Sequence, residues 1–353
     1  MAGEVRIITH NANGISGDAV TLQELLQRKG VDIAFVCETR LPQYFTWRNP
    51  GYRTYNIQGP NPPHGGTAII IRSTIQHVVI PVPQLKSLQA TLVRTKIGSQ
   101  EVLLGALYQS PSKLPDLADL DKLIALAPNK KFIFGGDLNA KHTDWHSRLI
   151  TKRGKTLARH AQDNNYSISG PDLPTCFPSK GAQPDVLDIF LHHPSLPIAS
   201  IETLNELNSD HNPVLLTIDE FLTAKVSRNF STKTTRWNAF RDYLKEIQVP
   251  TGSCSSTVEV DDAISSITET IKTAKKVAEV EIVPEPMQLF PDLDLLIKEK
   301  KRVRKRWQRL RQARDKAELN RLTNRIHKLT RNHRANKFAA EIEDVIENKM
   351  SGS

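Results

Sequence analysis

The sequence predicts a layered α/β domain built on two packed sheets, followed by a basic helical extension. Three observations carry this. Over the first 220 residues, short apolar or β-branched runs alternate with amphipathic stretches of helical period, the mixture that lets helices cover sheets. From Phe221 the texture changes to a polar, Ser- and Thr-rich stretch, 221–257, that reads as a linker, and the helical period takes over beyond it. Charge divides at the same point: residues 1–220 carry 21 basic and 20 acidic side chains, residues 221–353 carry 27 and 18. At about 150 residues per domain, the expected organisation is a domain over 1–220, a linker over 221–257 and an extension over 258–353.

The elements follow in order. Val5–Thr9 is short and β-branched. Ala19–Lys29 is an amphipathic helix with Val20, Leu22, Leu25 and Leu26 on its apolar face, and Gly30 stops it. Val31–Cys37 is a buried strand. Gly65-Gly66 supplies a turn before Thr67–Ile71, and His77–Val82, Leu88–Thr95 and Val102–Tyr108 follow with few helical signals between them, as antiparallel hairpins do. Leu117–Leu126 is a helix, Lys131–Phe134 a strand and Lys155–Asn164 a helix. Val186–Leu191, Ile198–Leu204 and Pro213–Ile218 close the series as strands.

In the extension, Val258–Val280 is amphipathic and helical, and the prolines within Val283–Pro291 interrupt it. Val303, Trp307, Leu310, Ala317, Leu322, Ile326, Leu329, Phe338, Ile342 and Val345 then fall mostly three or four apart, as one long helix or a helical hairpin. Residues 298–337 hold 17 basic and 3 acidic side chains. Salt-bridged surface helices alternate their signs, so this imbalance points to a polyanion.

Several classes are excluded. No apolar run approaches the roughly 18 residues of a membrane span. The N-terminal stretch lacks the pattern of a secretory signal. Cys37, Cys176 and Cys254 are odd in number and far apart, which excludes a disulfide framework and a Cys-rich zinc site.

Five short motifs put acids, amides or a histidine at strand ends: His10-Asn11-Ala12-Asn13-Gly14, Cys37-Glu38-Thr39, Gly136-Asp137-Leu138-Asn139, Asp185-Val186-Leu187-Asp188 and Ser209-Asp210-His211-Asn212-Pro213. Singly, each is an ordinary turn. Together they offer carboxylates for a hard divalent cation, amides to orient an oxyanion, and a histidine beside an acid. Phosphate-ester cleavage needs those groups.

The ordered set Asn-x-Asn-Gly, Glu-Thr, Tyr108, Gly-Asp-x-Asn, Leu-Asp and Ser-Asp-His resembles the endonuclease/exonuclease/phosphatase superfamily, in its branch similar to apurinic endonucleases. Pro174-Thr175, Pro184 to Phe190, and Asn139-Ala140-Lys141-His142 leading to Trp145 narrow it to the endonuclease domain of jockey-like non-LTR retrotransposons. The resemblance covers about residues 4–219, and the basic extension is similar to the segment that joins such a domain to a reverse transcriptase. No Tyr-x-Asp-Asp occurs, so the chain is read as a fragment or a truncated copy.

The resemblance implies a four-layered α/β sandwich: two packed mixed sheets flanked by helices, with a separate basic helical extension. It implies a Mg²⁺ site, with Mn²⁺ as a substitute, in which Glu38 is the main ligand and Asn11 and Asp210 lie near the metal. Asp137 would orient or deprotonate the attacking water, and Asn139 would hold a phosphate oxygen. His211, oriented by Asp188, would contact the scissile phosphate, with Tyr108 against the phosphate or leaving oxygen. Asn13, Thr175 and Ser209 would face the DNA, as would Lys301, Arg302, Arg304, Lys305 and Arg306 on the extension. The implied reaction is a nick in duplex DNA that leaves a 3′-hydroxyl to prime reverse transcription in the nucleus. Element RNA is a second partner for the basic extension.

One departure stands out. Relatives often follow the tyrosine with x-Pro-Asn, and here the run is Tyr108-Gln109-Ser110-Pro111-Ser112, so no Asn role carries over. Three rival readings remain open: an abasic-site repair endonuclease, a phosphatase of the same fold, and a nucleic-acid-binding module whose catalysis has decayed. On the leading reading the extension delivers DNA and the first domain does the chemistry, so nicking at saturating protein should survive its removal.

Overall fold

The computed structural model describes residues 3–350 apart from 17, 43–48, 61–63, 179–181, 221, 223–231, 247–255 and 283–290. The strands of the first part are β1 (Val5–Asn11), β2 (Ile33–Cys37), β3 (Tyr52–Ile57), β4 (Thr67–Arg72), β5 (His77–Ile80), β6 (Leu88–Ile97), β7 (Gln100–Gln109), β8 (Phe132–Asp137), β9 (Ser167–Ser169), β10 (Asp188–His192), β11 (Ile198–Thr203) and β12 (Val214–Ile218). Helices α1 (Ala19–Arg28), α2 (Ala118–Ala125) and α3 (Lys152–Asp163) run between them.

Two mixed six-stranded sheets form, in the orders β11-β12-β1-β2-β4-β3 and β5-β6-β7-β8-β10-β9. Their strands read as near-continuous apolar runs because both faces are covered. Alternate residues split between the faces. Ile7, Ile33, Phe35 and Ile69 of the first sheet meet Val93, Leu104, Ile133 and Phe190 of the second in the central core. Ile8, Ala34, Val36 and Ile70 face outward, against Leu22, Leu25 and Leu26 of α1. Leu103, Leu107, Phe132 and Phe134 face the opposite outer side, against Leu120 and Leu123 of α2 and Leu157 of α3. The result is a four-layered sandwich.

The hairpins differ in one respect from expectation. β5-β6 and β6-β7 are antiparallel neighbours, but β4 and β5 lie in different sheets, and β4 pairs with β2 and with the short, half-buried β3. The chain crosses between sheets at residues 73–76. Neither β3 nor β9 has a strong apolar alternation, which is why periodicity passes over them.

The chain divides into two compact units, and the division differs from the expected boundaries. One unit comprises 1–225 and 287–353, the other 226–286. The smaller unit holds β13 (Thr232–Thr235), α4 (Trp237–Glu246), α5 (Thr257–Ala278) and β14 (Glu279–Ile282), with β13 and β14 paired antiparallel. Part of the segment read as a linker is therefore structured. The Pro-containing break is followed by α6 (Pro291–Leu310) and α7 (Ala313–Met350), so the apolar stripe belongs to two helices. Those helices are not separate from the sandwich. Leu293, Leu296, Ile297, Val303, Trp307, Leu319, Leu322 and Ile326 pack with Phe177 and with Val20 of α1. The side chains of Phe338, Ile342 and Val345 lie outside the described residues. No helix among the described residues is long and apolar enough to cross a membrane.

Candidate active site

The two sheets bring their functional residues to one end of the sandwich. In the second sheet Tyr108 pairs with Asp137 across the parallel β7-β8 ladder, and Asp188 pairs with Asp137 across the antiparallel β8-β10 ladder. Directly opposed residues share a face, so all three side chains stand in a row. Gly136 permits this close approach, since a Cβ there would lie 1.7 Å from the Leu107 carbonyl oxygen. In the first sheet Asn11 pairs with Cys37 at the ends of the parallel β1 and β2. The chain beyond β1 stays docked on the chain beyond β2: the amides of Ala12, Gly14 and Ile15 donate to the carbonyls of Cys37, Glu38 and Thr39 at 2.8–3.1 Å. Asn13, Glu38, Arg40 and Asn139 all take left-handed backbone conformations, φ +47° to +53°. Such strain gathers where surrounding contacts fix a site.

Asn11 ties the two sheets together. Its Nδ2 donates to Glu38 Oε1 at 3.0 Å and to Asp137 Oδ2 at 2.9 Å. Burial pushes the pKa of the Tyr108 hydroxyl up, and the charge of the neighbouring Glu38 adds to the push. Asn139 donates its backbone N–H to Asp137 Oδ1 at 3.0 Å and its Nδ2 to the Gln109 carbonyl at 3.1 Å. The Tyr108–Ser112 run therefore meets the site through Gln109. Asn13 donates to Asp210 Oδ1 at 3.4 Å and accepts from Arg40, which also reaches Glu38 at 3.3 Å. Arg40 is a member the motifs did not reveal. No single position in the sequence marks it.

His211 lies between two acids. Its Nδ1 donates to Asp188 Oδ2 at 2.7 Å, and its Nε2 is 3.9 Å from Asp137 Oδ2. Burial alone would push the imidazole pKa down, but Asp188 and Asp137 outweigh it and hold the ring well above its ordinary value. Asp137 moves up from the carboxylate range because it is buried; His211 opposes that shift, and Asp188 adds to it.

Four carboxylates thus gather at one end of the sandwich, Glu38, Asp137 and Asp210 around the cleft and Asp188 fully buried behind His211. Among the described residues, their ion pairs come from His211 and Arg40 alone. That excess of oxygen anions fits a hard divalent cation, which Glu38 and Asp210 could hold with the Asn11 amide beside them. Cys176, Asp210 and His211 also bring ligand atoms within 4.8 Å of one another. That sulfur-containing set suits a softer ion, and His211 already spends Nδ1 on Asp188.

Several expected DNA contacts are placed elsewhere. Thr175 is fully buried, and its Oγ1 accepts from the amides of Leu187 and Asp188 at 3.0 and 3.1 Å, anchoring the start of β10. Ser209 is buried, and its Oγ accepts from the His211 amide at 3.1 Å. Arg304 is buried behind the Ser209–Asn212 loop. Lys301 pairs with Glu206 and Arg306 with Asp315. Arg302 and Lys305 remain exposed. The causes are two: Thr175 and Ser209 spend their hydroxyls on backbone amides of their own loops, and on a helix packed against a domain half of a basic run faces protein.

Neighbouring motif residues are structural. Trp145 is buried and donates Nε1 to the Ala140 carbonyl, so it anchors its own loop. Asp185 accepts from the Arg148 amide and pairs with the Lys141 ammonium, and those partners hold its buried carboxyl below the usual range against the opposing effect of burial. His142 stacks on Trp145, and His146 meets the Gly170 carbonyl. Cys37 and Cys176 are free and buried, and Cys254 lies outside the described residues.

The chain is 28% identical over 349 residues to an RNA-directed DNA polymerase from the mobile element jockey of Drosophila funebris, covering 95% of this chain and 37% of that protein. It is 29% identical over 334 residues to a probable RNA-directed DNA polymerase from the transposon X-element of Drosophila melanogaster, covering 91% of this chain and 36% of that one. It spans a little over a third of the length of these relatives. Its fold is like that of the endonuclease domain of TRAS1, a telomere-specific non-LTR retrotransposon: TM-score 0.52, 22% identity, 61% of this chain and 98% of that one. Residues 8–211 match the family model Endonuclease/Exonuclease/phosphatase family, over the same stretch that carries the acids and the His211–Asp188 pair, and the chain belongs to that family.

Proposed function

We propose that this chain is a Mg²⁺-dependent endonuclease, with Mn²⁺ as a substitute, that nicks duplex DNA and leaves a 3′-hydroxyl end. The observation that carries the reading is the convergence of His211, held by Asp188 at 2.7 Å, on Asp137, which Asn11 links to Glu38. A divalent cation in this cleft would neutralise charge on the phosphate and the leaving oxygen. Asp137, with Asn139 and Asn11 fixing its oxygens, orients the attacking water and takes its proton. His211 donates from Nε2 to a phosphate oxygen, and Asp188 keeps the ring oriented and charged. Tyr108 and Asn139 flank the same phosphate, and Asn13 meets the strand beside it.

A jockey-like element gives this reaction a purpose, because the similar proteins are polymerases and a DNA polymerase extends a 3′-hydroxyl. The target DNA places the reaction in the nucleus. The exposed basic residues of α6, Arg302 and Lys305, hold duplex DNA or element RNA.

The test is nicking of supercoiled plasmid with Mg²⁺, Mn²⁺ or EDTA, followed by extension of the product ends with a polymerase. The expected result is open circles with metal, none in EDTA, and ends that extend directly. Preferential cutting of an abasic oligonucleotide would favour the repair reading, and turnover of inositol phosphates the phosphatase reading. Undiminished nicking in EDTA would remove the metal from the mechanism.

A further inference from the structure

The loop Glu206–Asn212 presents Asp210 and His211 to the cleft, and it has no ladder of its own to hold it there. Its front is fixed at four points: His211 by Asp188, Asp210 Oδ1 by Asn13 at 3.4 Å, the Asp210 carbonyl by the Phe177 amide at 2.8 Å, and the Asn212 amide by the Thr175 carbonyl at 2.6 Å. Its back rests on α6 and α7. Arg304 donates Nη1 to the Leu207 carbonyl at 2.8 Å, Nη2 to the Ser209 carbonyl at 2.6 Å and to Asn212 Oδ1 at 2.8 Å, and Nε to Asn212 Oδ1 at 3.1 Å. The His211 carbonyl lies 3.4 Å from Nη2. Gln308 adds a bond to Asn212 Oδ1 at 2.9 Å, and Lys300 and Thr323 both donate to Asn208 Oδ1. Leu207 sits at φ +63°, a conformation that an unbraced leucine rarely keeps.

From this geometry we infer that Arg304 is a positioning residue for catalysis, acting through the Leu207–Asn212 backbone to hold Asp210 and His211 in register with Asp137 and Asp188. The inference rests on the endonuclease reading above. Arg304 touches neither cleft nor solvent; it is 2% exposed. The groups it holds belong to the residues on either side of Asp210 and to His211 itself. Acceptors on three residues, reached from Nε, Nη1 and Nη2, suit a guanidinium fork, and the ammonium of a lysine cannot span them. Loss of a buried donor leaves those carbonyls unsatisfied, so the loop would shift to find water. A shift of about 1 Å at a reacting group can cost on the order of 10² in rate. A helix that the sequence assigns to DNA delivery is, on its inner face, part of the catalytic frame.

The test uses the whole 353-residue chain. Arg304→Met keeps volume and removes the fork; kcat for plasmid nicking is expected to fall about 10²-fold with KM within about threefold. Arg304→Lys should fall nearly as far. Methylguanidinium should restore Arg304→Ala by tenfold or more and leave His211→Ala unrestored. Folded Arg304→Met with wild-type kcat overturns the inference, as does a rise in KM alone, which would mark a DNA contact. If Arg304→Met does not fold, Gln308→Leu decides: a several-fold loss of kcat at constant KM supports the brace, and an unchanged kcat overturns it. Amide hydrogen exchange across 206–212, read against the β7 and β8 amides, needs no activity. Faster exchange in Gln308→Leu supports the brace, and unchanged exchange overturns it. A wild-type chain that does not nick would therefore sink the endonuclease reading alone.

Discussion

Asp188 and Thr175 show what a single side chain can do here without touching substrate. Asp188 Oδ2 holds His211, and the charge of Asp188 is the strongest of the influences that raise the imidazole pKa. Asp188→Asn keeps the shape but removes the charge, so the imidazole is no longer held in one tautomer. Nicking should fall by up to about 10⁴, the loss seen when a catalytic histidine's carboxylate partner becomes an amide, while the circular dichroism spectrum stays the same. Wild-type nicking by this variant would take the orienting role from Asp188. Thr175 makes a second, contrasting case. Thr175→Val leaves two buried amides, Leu187 and Asp188, without their acceptor. Unfolding free energy should drop by about 1–3 kcal/mol per stranded group, measured by urea titration. DNA affinity should stay within twofold; a loss of affinity with unchanged stability would restore Thr175 to the DNA face.

At the scale of the element, α6 is a helix with two uses. Its inner positions, Leu293, Leu296, Ile297, Lys300, Val303, Arg304 and Trp307, recur at helical spacing and are buried. Burial pushes the Lys300 ammonium down to about 8, a further sign that this face is not made for phosphate. Lys298, Arg302, Lys305 and Arg309 recur four, three and four apart on the outside and are exposed. The helix that carries the expected DNA residues therefore offers only its outer stripe to a backbone. Replacing Arg302, Lys305 and Arg309 together by Gln should reduce the slope of log K against log salt by roughly 3, at about 0.9 per phosphate contact. Stability should be unchanged, since none of the three is buried. A titration of one duplex at several salt concentrations reads the slope, and a slope equal to wild type would take nucleic acid from this face.

For the whole molecule, the contrast is between a nearly neutral sandwich and a concentrated basic segment that the fold joins to it. Removing residues 291–353 uncovers Phe177 and Val20 and strips Arg304 and Lys300 from the Glu206–Asn212 loop. If the loss of cover amounts to even about 3 kcal/mol, the melting temperature falls by roughly 6–12 °C, and nicking at saturating protein should be largely lost. That outcome is opposite to the one expected from charge alone. A truncated chain that melts and nicks like the full one would show α6 and α7 to be a free appendage.

The sequence by itself determined the alternation of apolar strands and amphipathic helices, and with it two covered sheets. It also determined the ordered motifs of the site, because Asp137 ends a strand, Asp188 begins one, Glu38 directly follows one and the Ser209-Asp210-His211 run shortly precedes one. Local pattern suffices for these, since the strand period fixes which face each residue takes. Only the tertiary structure decided which strands share a sheet, which side of Asp210 and His211 meets solvent, and what the basic run is for. Those depend on contacts between residues such as Asn212 and Arg304, 92 positions apart. An arginine reads the same in a sequence whether it faces a phosphate or a carbonyl of its own chain. Charge counts the cations in a helix, and packing decides which of them are left for a partner.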